Sequence, residues 1–151
     1  MAPGDVHLSR QAKDQLVRVK RHTGIVHWNV LCRWAFCLSL RDGTVPAPAR
    51  IPRDSNVEMD WGTFAGGHGE IFLALLKERC LRDGLGAEPG VLEAQFRLHL
   101  HRGIAQLAGD RRLRGLHDLV ALAVGRPEPG KAGTRHGRGE GRRLSHSRRT
   151  V

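Results

Sequence analysis

Five cations fall within twelve residues: Arg10, Lys13, Arg18, Lys20 and Arg21, relieved only by Asp14. Side chains of that kind at that density suit phosphate oxygens, because each neutralised phosphate releases condensed counterions and arginine adds a hydrogen-bonding fork. No other grouping in the chain points as clearly to chemistry. The acid pairs Glu58/Asp60 and Glu70/Glu78 have nothing around them that marks an acid–base site, and no serine or cysteine nucleophile comes with an identifiable base. Cys32, Cys37 and Cys80 show neither metal nor redox spacing and read as buried free thiols of a reducing compartment. His99 and His101 project about 200° apart on a helix, so one metal cannot be held by both. Ala65-Gly66-Gly67-His68-Gly69 precedes a helical stretch but lacks the Gly-Lys-Ser/Thr ending of a phosphate loop. The chain is therefore expected to be non-enzymatic, with no catalytic residue, metal or cofactor. Arg33, between Cys32 and Trp34, is expected to pair with an acid such as Glu70 or to stack on a tryptophan. A phosphate or interface contact is its second reading.

The elements that must position these groups follow from periodicity. Val6 and Leu8 alternate with Asp5, His7 and Ser9, as in a short half-buried strand. Ser9 is a good N-cap, Ala12, Leu16 and Val19 recur at helical spacing, and Thr23-Gly24 supplies a stop. Ile25 to Leu40 then reads as a helix apolar almost all round, which must be buried on more than one side. Self-association through Trp28, Leu31, Trp34, Ala35 and Leu38 is the expected solution. Strand, basic helix, turn and buried helix are the order of a ribbon-helix-helix unit. Beyond a proline-punctuated connection from Asp42 to Asp54, the alternation of Val57, Met59 and Trp61 suggests a second strand. Glu70 falls in the first turn of a helix with Ile71, Phe72, Leu75 and Leu76 as its core face, ended by Asp83-Gly84. Pro89 opens another carrying Leu92, Phe96, Leu100, Ile104 and Leu107. A last helix over 113–124 is expected to pack through Leu113, Leu116, Val120 and Val124. The fold class is mainly α: a ribbon-helix-helix-like N-terminal unit, two or three further helices and a disordered C-terminal tail.

A chain of 151 residues suits one domain, here residues 1–125, followed by a basic tail at 126–151. Charge is uneven along it. Residues 1–53 hold nine Lys/Arg against three Asp/Glu, residues 54–125 eight against ten, and residues 126–151 eight against two. A nearly neutral middle between positive ends points to a polyanionic partner. The glycine, arginine and serine of the tail bury too little to order themselves. No signal-peptide core opens the chain, and the stretch 25–40 is too short and polar to span a bilayer. A cytoplasmic location is the expectation.

Several segments resemble one family. Leu8-Ser9-Arg10-Gln11, Lys13 with Gln15-Leu16, Thr23-Gly24-Ile25, Asn29-Val30 with Cys32-Arg33, and Phe36-Cys37-Leu38-Ser39 resemble DndE, the small subunit of the bacterial DNA phosphorothioation system. Trp61 with Gly69-Glu70, and His101-Arg102-Gly103-Ile104-Ala105 with Leu107, continue the resemblance over roughly residues 6 to 116. It implies a DNA-engaging accessory subunit that is a homotetramer, prefers nicked duplex and works beside other Dnd proteins that carry out the sulfur chemistry. Where the family places a lysine this chain has Val17. Two other readings compete: a ribbon-helix-helix repressor, for which Asp5, His7 and Ser9 would be a poor base-reading set, and an assembly subunit bridging the sulfur-transfer proteins. Strand nicking ranks below both, since no residue can be named for it.

Overall fold

The computed structural model describes residues 2–125, and the tail expected at 126–151 lies outside the described residues. Strand β1 (Val6–His7) leads into helix α1 (Arg10–Thr23). Ser9 Oγ accepts from the Ala12 amide at 3.1 Å, and Gly24 closes the helix in the left-handed region at φ 74°, where a side chain would be strained. Ala12, Leu16 and Val19 are buried, as their spacing requires. Helix α2 is Trp28–Arg41, starting three residues later than the apolar run suggests. The left-handed Gly24 and an extended His27 hold Ile25–His27 out of the helix, and the Thr23 hydroxyl takes the Ile25 amide. The partner of β1 is β2 (Glu58–Met59), antiparallel in the same chain, with Val6 opposite Met59.

Trp61 corrects the strand reading. It opens a short helix, α3 (Trp61–Ala65), because the Asp60 carboxylate caps the Thr63 amide at 2.6 Å, and this local bond outweighs the alternation that precedes it. After a 3-10 turn at Gly66–His68 come α4 (Gly69–Arg82), α5 (Pro89–Gly109) and α6 (Leu116–Val124). Among the described residues the short α3 and three longer helices thus follow the N-terminal unit, in keeping with the mainly α class expected.

The core is built around the crossing of α2 on α5. It is close: a Cβ on Gly103 would stand 1.7 Å from the Ala35 carbonyl oxygen. Phe36, Phe64 and Phe96 meet edge-on or tilted at centroid separations of 4.9 to 5.8 Å, with Trp61 against the last two. Such pairs add about 0.5–1.5 kcal/mol each beyond their buried area. Leu92, Phe96, Leu100, Ile104 and Leu107 of α5 are all buried, as read.

Two inward faces differ from the reading. On α4, Leu76 is buried and Phe72 packs on the core, but Ile71 and Leu75 are exposed. Leu113, just ahead of α6, is buried as expected, but within α6 the buried apolar residue is Leu119, while Leu116, Val120 and Val124 face outward. The Asp118 carboxylate takes the Arg114 and Gly115 amides at 3.0 and 3.1 Å, and this capping rotates the short helix so that Leu119 points inward.

Candidate nucleic-acid interface

Helix α1 displays its cations on two flanks. At about 100° per residue, Ala12, Leu16 and Val19 mark the inward direction, and Arg10, Val17 and Arg21 fall opposite it. Arg18 lies to one side, Lys13 and Lys20 to the other. Arg10, Arg18 and Arg21 are exposed, and Lys13 and Lys20 are half-buried. Lys20 Nζ sits 3.6 Å from the Trp28 ring centroid, a cation–π contact that fixes where its charge is presented. Lys13 Nζ donates to Asn56 Oδ1 at 2.5 Å. The helix start is itself tethered: the Arg10 amide donates to Asp54 Oδ1 at 2.7 Å and the Ser9 amide to His101 Nε2 at 3.1 Å. His101 Nδ1 donates to the Arg97 carbonyl at 2.9 Å, so both ring nitrogens are committed in the neutral tautomer.

The other arginines are used differently. Arg79 is buried and donates to both Asp83 oxygens, at 3.0 and 2.9 Å, and to the carbonyls of Leu40, Asp42 and Thr44. Arg102 donates to Ser39 Oγ at 2.7 Å and to the carbonyls of Ser39 and Thr44. Arg97 holds the Ile51 carbonyl at 2.8 Å. Arg79 and Arg102 therefore satisfy open carbonyls at the end of α2, and with Arg97 they pin the 42–54 connection to α4 and α5. Two hydrogen bonds from Thr44, hydroxyl and amide, hold the Asp42 carboxyl down to about 2. These arginines escaped the sequence reading because nothing in their spacing separates a carbonyl clamp from a solvated charge.

By contrast, Arg10, Lys13, Arg18, Lys20 and Arg21 form no ion pair among the described residues. Within the described residues that helix surface keeps its charge free of carboxylate partners. Arg53 is paired with Glu93 at 3.5 Å and does not add to it.

Arg33 has neither the Glu70 partner nor the tryptophan stack expected of it. Among the described residues its guanidinium has no ion pair or hydrogen bond, and it lies so close to Gly66 that a Cβ there would come within 2.7 Å of Nη1. Glu70 is exposed in the first turn of α4, where the helix dipole favours a carboxylate. The residues expected at an interface divide. Leu31 and Ala35 are 0% exposed, covered by the chain's own α5 and so not available to another copy. Trp28, Trp34 and Leu38 remain partly exposed. The outward side of α2 carries Val30, Arg33, Trp34, Cys37 and Arg41, and Trp34, Cys37 and Leu38 line an apolar cavity of about 260 Å³ against Leu119 and Leu122. Cys32 and Cys80 are buried, with burial pushing the Cys32 thiol up to about 12, whereas Cys37 is exposed, unlike the thiol expected from the sequence; all three are free.

Among the described residues no helix is long and apolar enough to cross a membrane, and no three ligating side chains gather as a metal site. Buried His99 bonds Ser39 Oγ at 3.0 Å through Nδ1, and its Nε2 has no hydrogen-bond partner among the described residues.

Comparison with known proteins gives a consistent answer. The family model for the DNA sulphur modification protein DndE matches residues 5–115. The crystal structure of DndE from Escherichia coli B7A, involved in DNA phosphorothioation modification, superposes with a TM-score of 0.59 at 29% identity, covering 71% of this chain and 98% of that one. A crystal structure of a DndE mutant involved in DNA phosphorothioation gives 0.54 at 27% identity, covering 70% and 96%. Curated proteins give no match.

Proposed function

The chain belongs to the DndE family and so has its role in DNA phosphorothioation, and from that premise we propose that it is a non-catalytic subunit gripping the sugar–phosphate backbone of duplex DNA through α1. One observation carries the proposal: five cations on α1 that form no ion pair among the described residues, while Arg79, Arg97 and Arg102 are consumed inside the molecule. Unpaired cations fixed on a rigid helix are what counterion release requires, and they contact any sequence alike. The resemblance adds a preference for nicked duplex, self-association to a tetramer and work beside the other proteins of the system, which supply the sulfur chemistry.

The repressor alternative is less well supported. A ribbon-helix-helix dimer reads DNA with strands pairing between copies, whereas β1 pairs with β2 of its own chain and His7 Nε2 is bonded to the Ser55 carbonyl at 2.7 Å. The bridging alternative draws on the apolar outward side of α2.

Because Arg18 and Lys20 stand on opposite flanks, replacing both by alanine samples the whole surface. The double variant should bind duplexes of unrelated sequence more weakly by similar factors, and lower the slope of log affinity against log salt by about 2. Unchanged affinity and slope would overturn the DNA reading and favour the bridging role. A footprint confined to one sequence would favour the repressor.

A further inference from the structure

Beside the Lys13–Lys20 flank of α1 runs a second cavity, an open groove of about 530 Å³ between the α1–α2 turn and β2. That volume lies within the range of small-ligand and cofactor sites, roughly 300–1,000 Å³. Its lining is mixed. Trp28, Val57 and Met59 form an apolar floor, Val26 is an apolar lip at 67% exposure, and His27, Asn56 and Glu58 supply exposed polar groups. Asn56 Oδ1 is occupied by Lys13, which leaves its amide hydrogens as donors, and Glu58 is the single carboxylate on the wall. One ammonium group, Lys13, therefore lines a slot of mixed polar and apolar surface, and a second, Lys20, stands over the ring of its Trp28. A plain phosphate would have no use for the apolar floor, and an apolar peptide none for the ammonium pair.

We propose that this groove takes a single nucleotide turned out of the DNA stack, its phosphate toward Lys13 and Lys20 and its base on the apolar floor. The inference rests on the DNA reading of α1 and extends it from the backbone to one extruded base. A flat heterocycle with polar edges and an attached anion has the composition of the slot: dispersion and burial from Trp28 and Met59, a donor from Asn56, an acceptor in Glu58 suited to an exocyclic amine. Extrusion costs least where a nucleotide has no pairing partner, so a site of this kind discriminates between paired and unpaired positions.

The test uses the full chain and two short duplexes of one sequence, one fully paired and one carrying a single unpaired 2-aminopurine. Binding of the second should be about tenfold tighter and should raise the probe's fluorescence as it leaves its stacked neighbours. The double variant Val26→Ser with His27→Ala, both at exposed positions outside α1, should bring the two affinities within about twofold while leaving the paired duplex bound as before. Equal affinities with unchanged fluorescence in the native protein would overturn the groove proposal alone, as would a preference undiminished in the double variant. Failure to bind either duplex at low ionic strength would overturn it together with the DNA reading.

Discussion

Single side chains in this protein are governed by whether their polar atoms find partners. His99 is fully buried, its Nδ1 tied to Ser39 and its ring edge-on to Phe36 at 6.4 Å. Burial, with Arg102 and Arg79 nearby, lowers its pKa from 6.5 to about 4, against the smaller opposing pull of Asp83 and Asp42. A depressed histidine pKa means that the unfolded chain binds the extra proton first. Stability from this group is complete above about pH 6.5 and is lost as pH falls toward 4, by about 3 kcal/mol across that window. Urea unfolding at pH 7 and pH 4 should show that loss, and His99→Gln should remove most of the difference between the two. An identical pH dependence in the variant would mean the slope belongs elsewhere; His101, lowered chiefly by desolvation and bonded at both nitrogens, is the next contributor.

At the level of elements, the crossing of α2 on α5 sets the positions of everything else. Glycine inside a helix costs about 1 kcal/mol relative to alanine, and Gly103 is there because the Ala35 carbonyl occupies the space a side chain would need. Gly103→Ala should therefore destabilise by about 3 kcal/mol or more, since relief requires one helix backbone to move off the other. Gly109→Ala, at the other end of α5's second half with nothing within 4 Å of its Cβ position, should be neutral or stabilising by up to about 1 kcal/mol. Thermal or urea unfolding of the pair checks both; equal effects would show that the crossing tolerates separation. The start of α1 depends on α5 as well, through Ser9 on His101, so a disturbed α5 should also loosen the basic helix.

Across the whole molecule, the cations of α1 spread over its solvent side, and the outward side of α2 presents Val30, Trp34 and Cys37, flanked by Arg33 and Arg41, beside an apolar cavity floored by Leu119 and Leu122. With Ile71 and Leu75 of α4 and Leu116, Val120 and Val124 of α6 also exposed, the chain carries more open apolar surface than scattered single residues would give. We propose that self-association through the outward side of α2 covers the central part of it. Light scattering should report an oligomer for the native chain, and Trp34→Asp should shift it to monomer with little change in unfolding midpoint, because Trp34 is at the edge of the core rather than within it. A monodisperse native monomer would refute this, and association unaffected by Trp34→Asp would move the contact to α4 or α6.

By itself the sequence determined the local features: Ser9 and Gly24 bounding α1, Pro89 and Asp83-Gly84 bounding its later counterparts, the buried stripe of α5 and the five clustered cations. Caps, turns and one-sided periodicity are short-range physics, and the residues that produce them lie next to one another in the chain. Tertiary structure decided which side of each helix meets a neighbour. Leu31 and Ala35 went to α5 instead of to another copy, Leu116 and Val120 were turned outward, and Arg79, Arg97 and Arg102 were drawn onto distant carbonyls. A helix apolar on two sides, or an arginine in a run of charge, has several partners of similar energy until the packing of remote segments makes one of them adjacent.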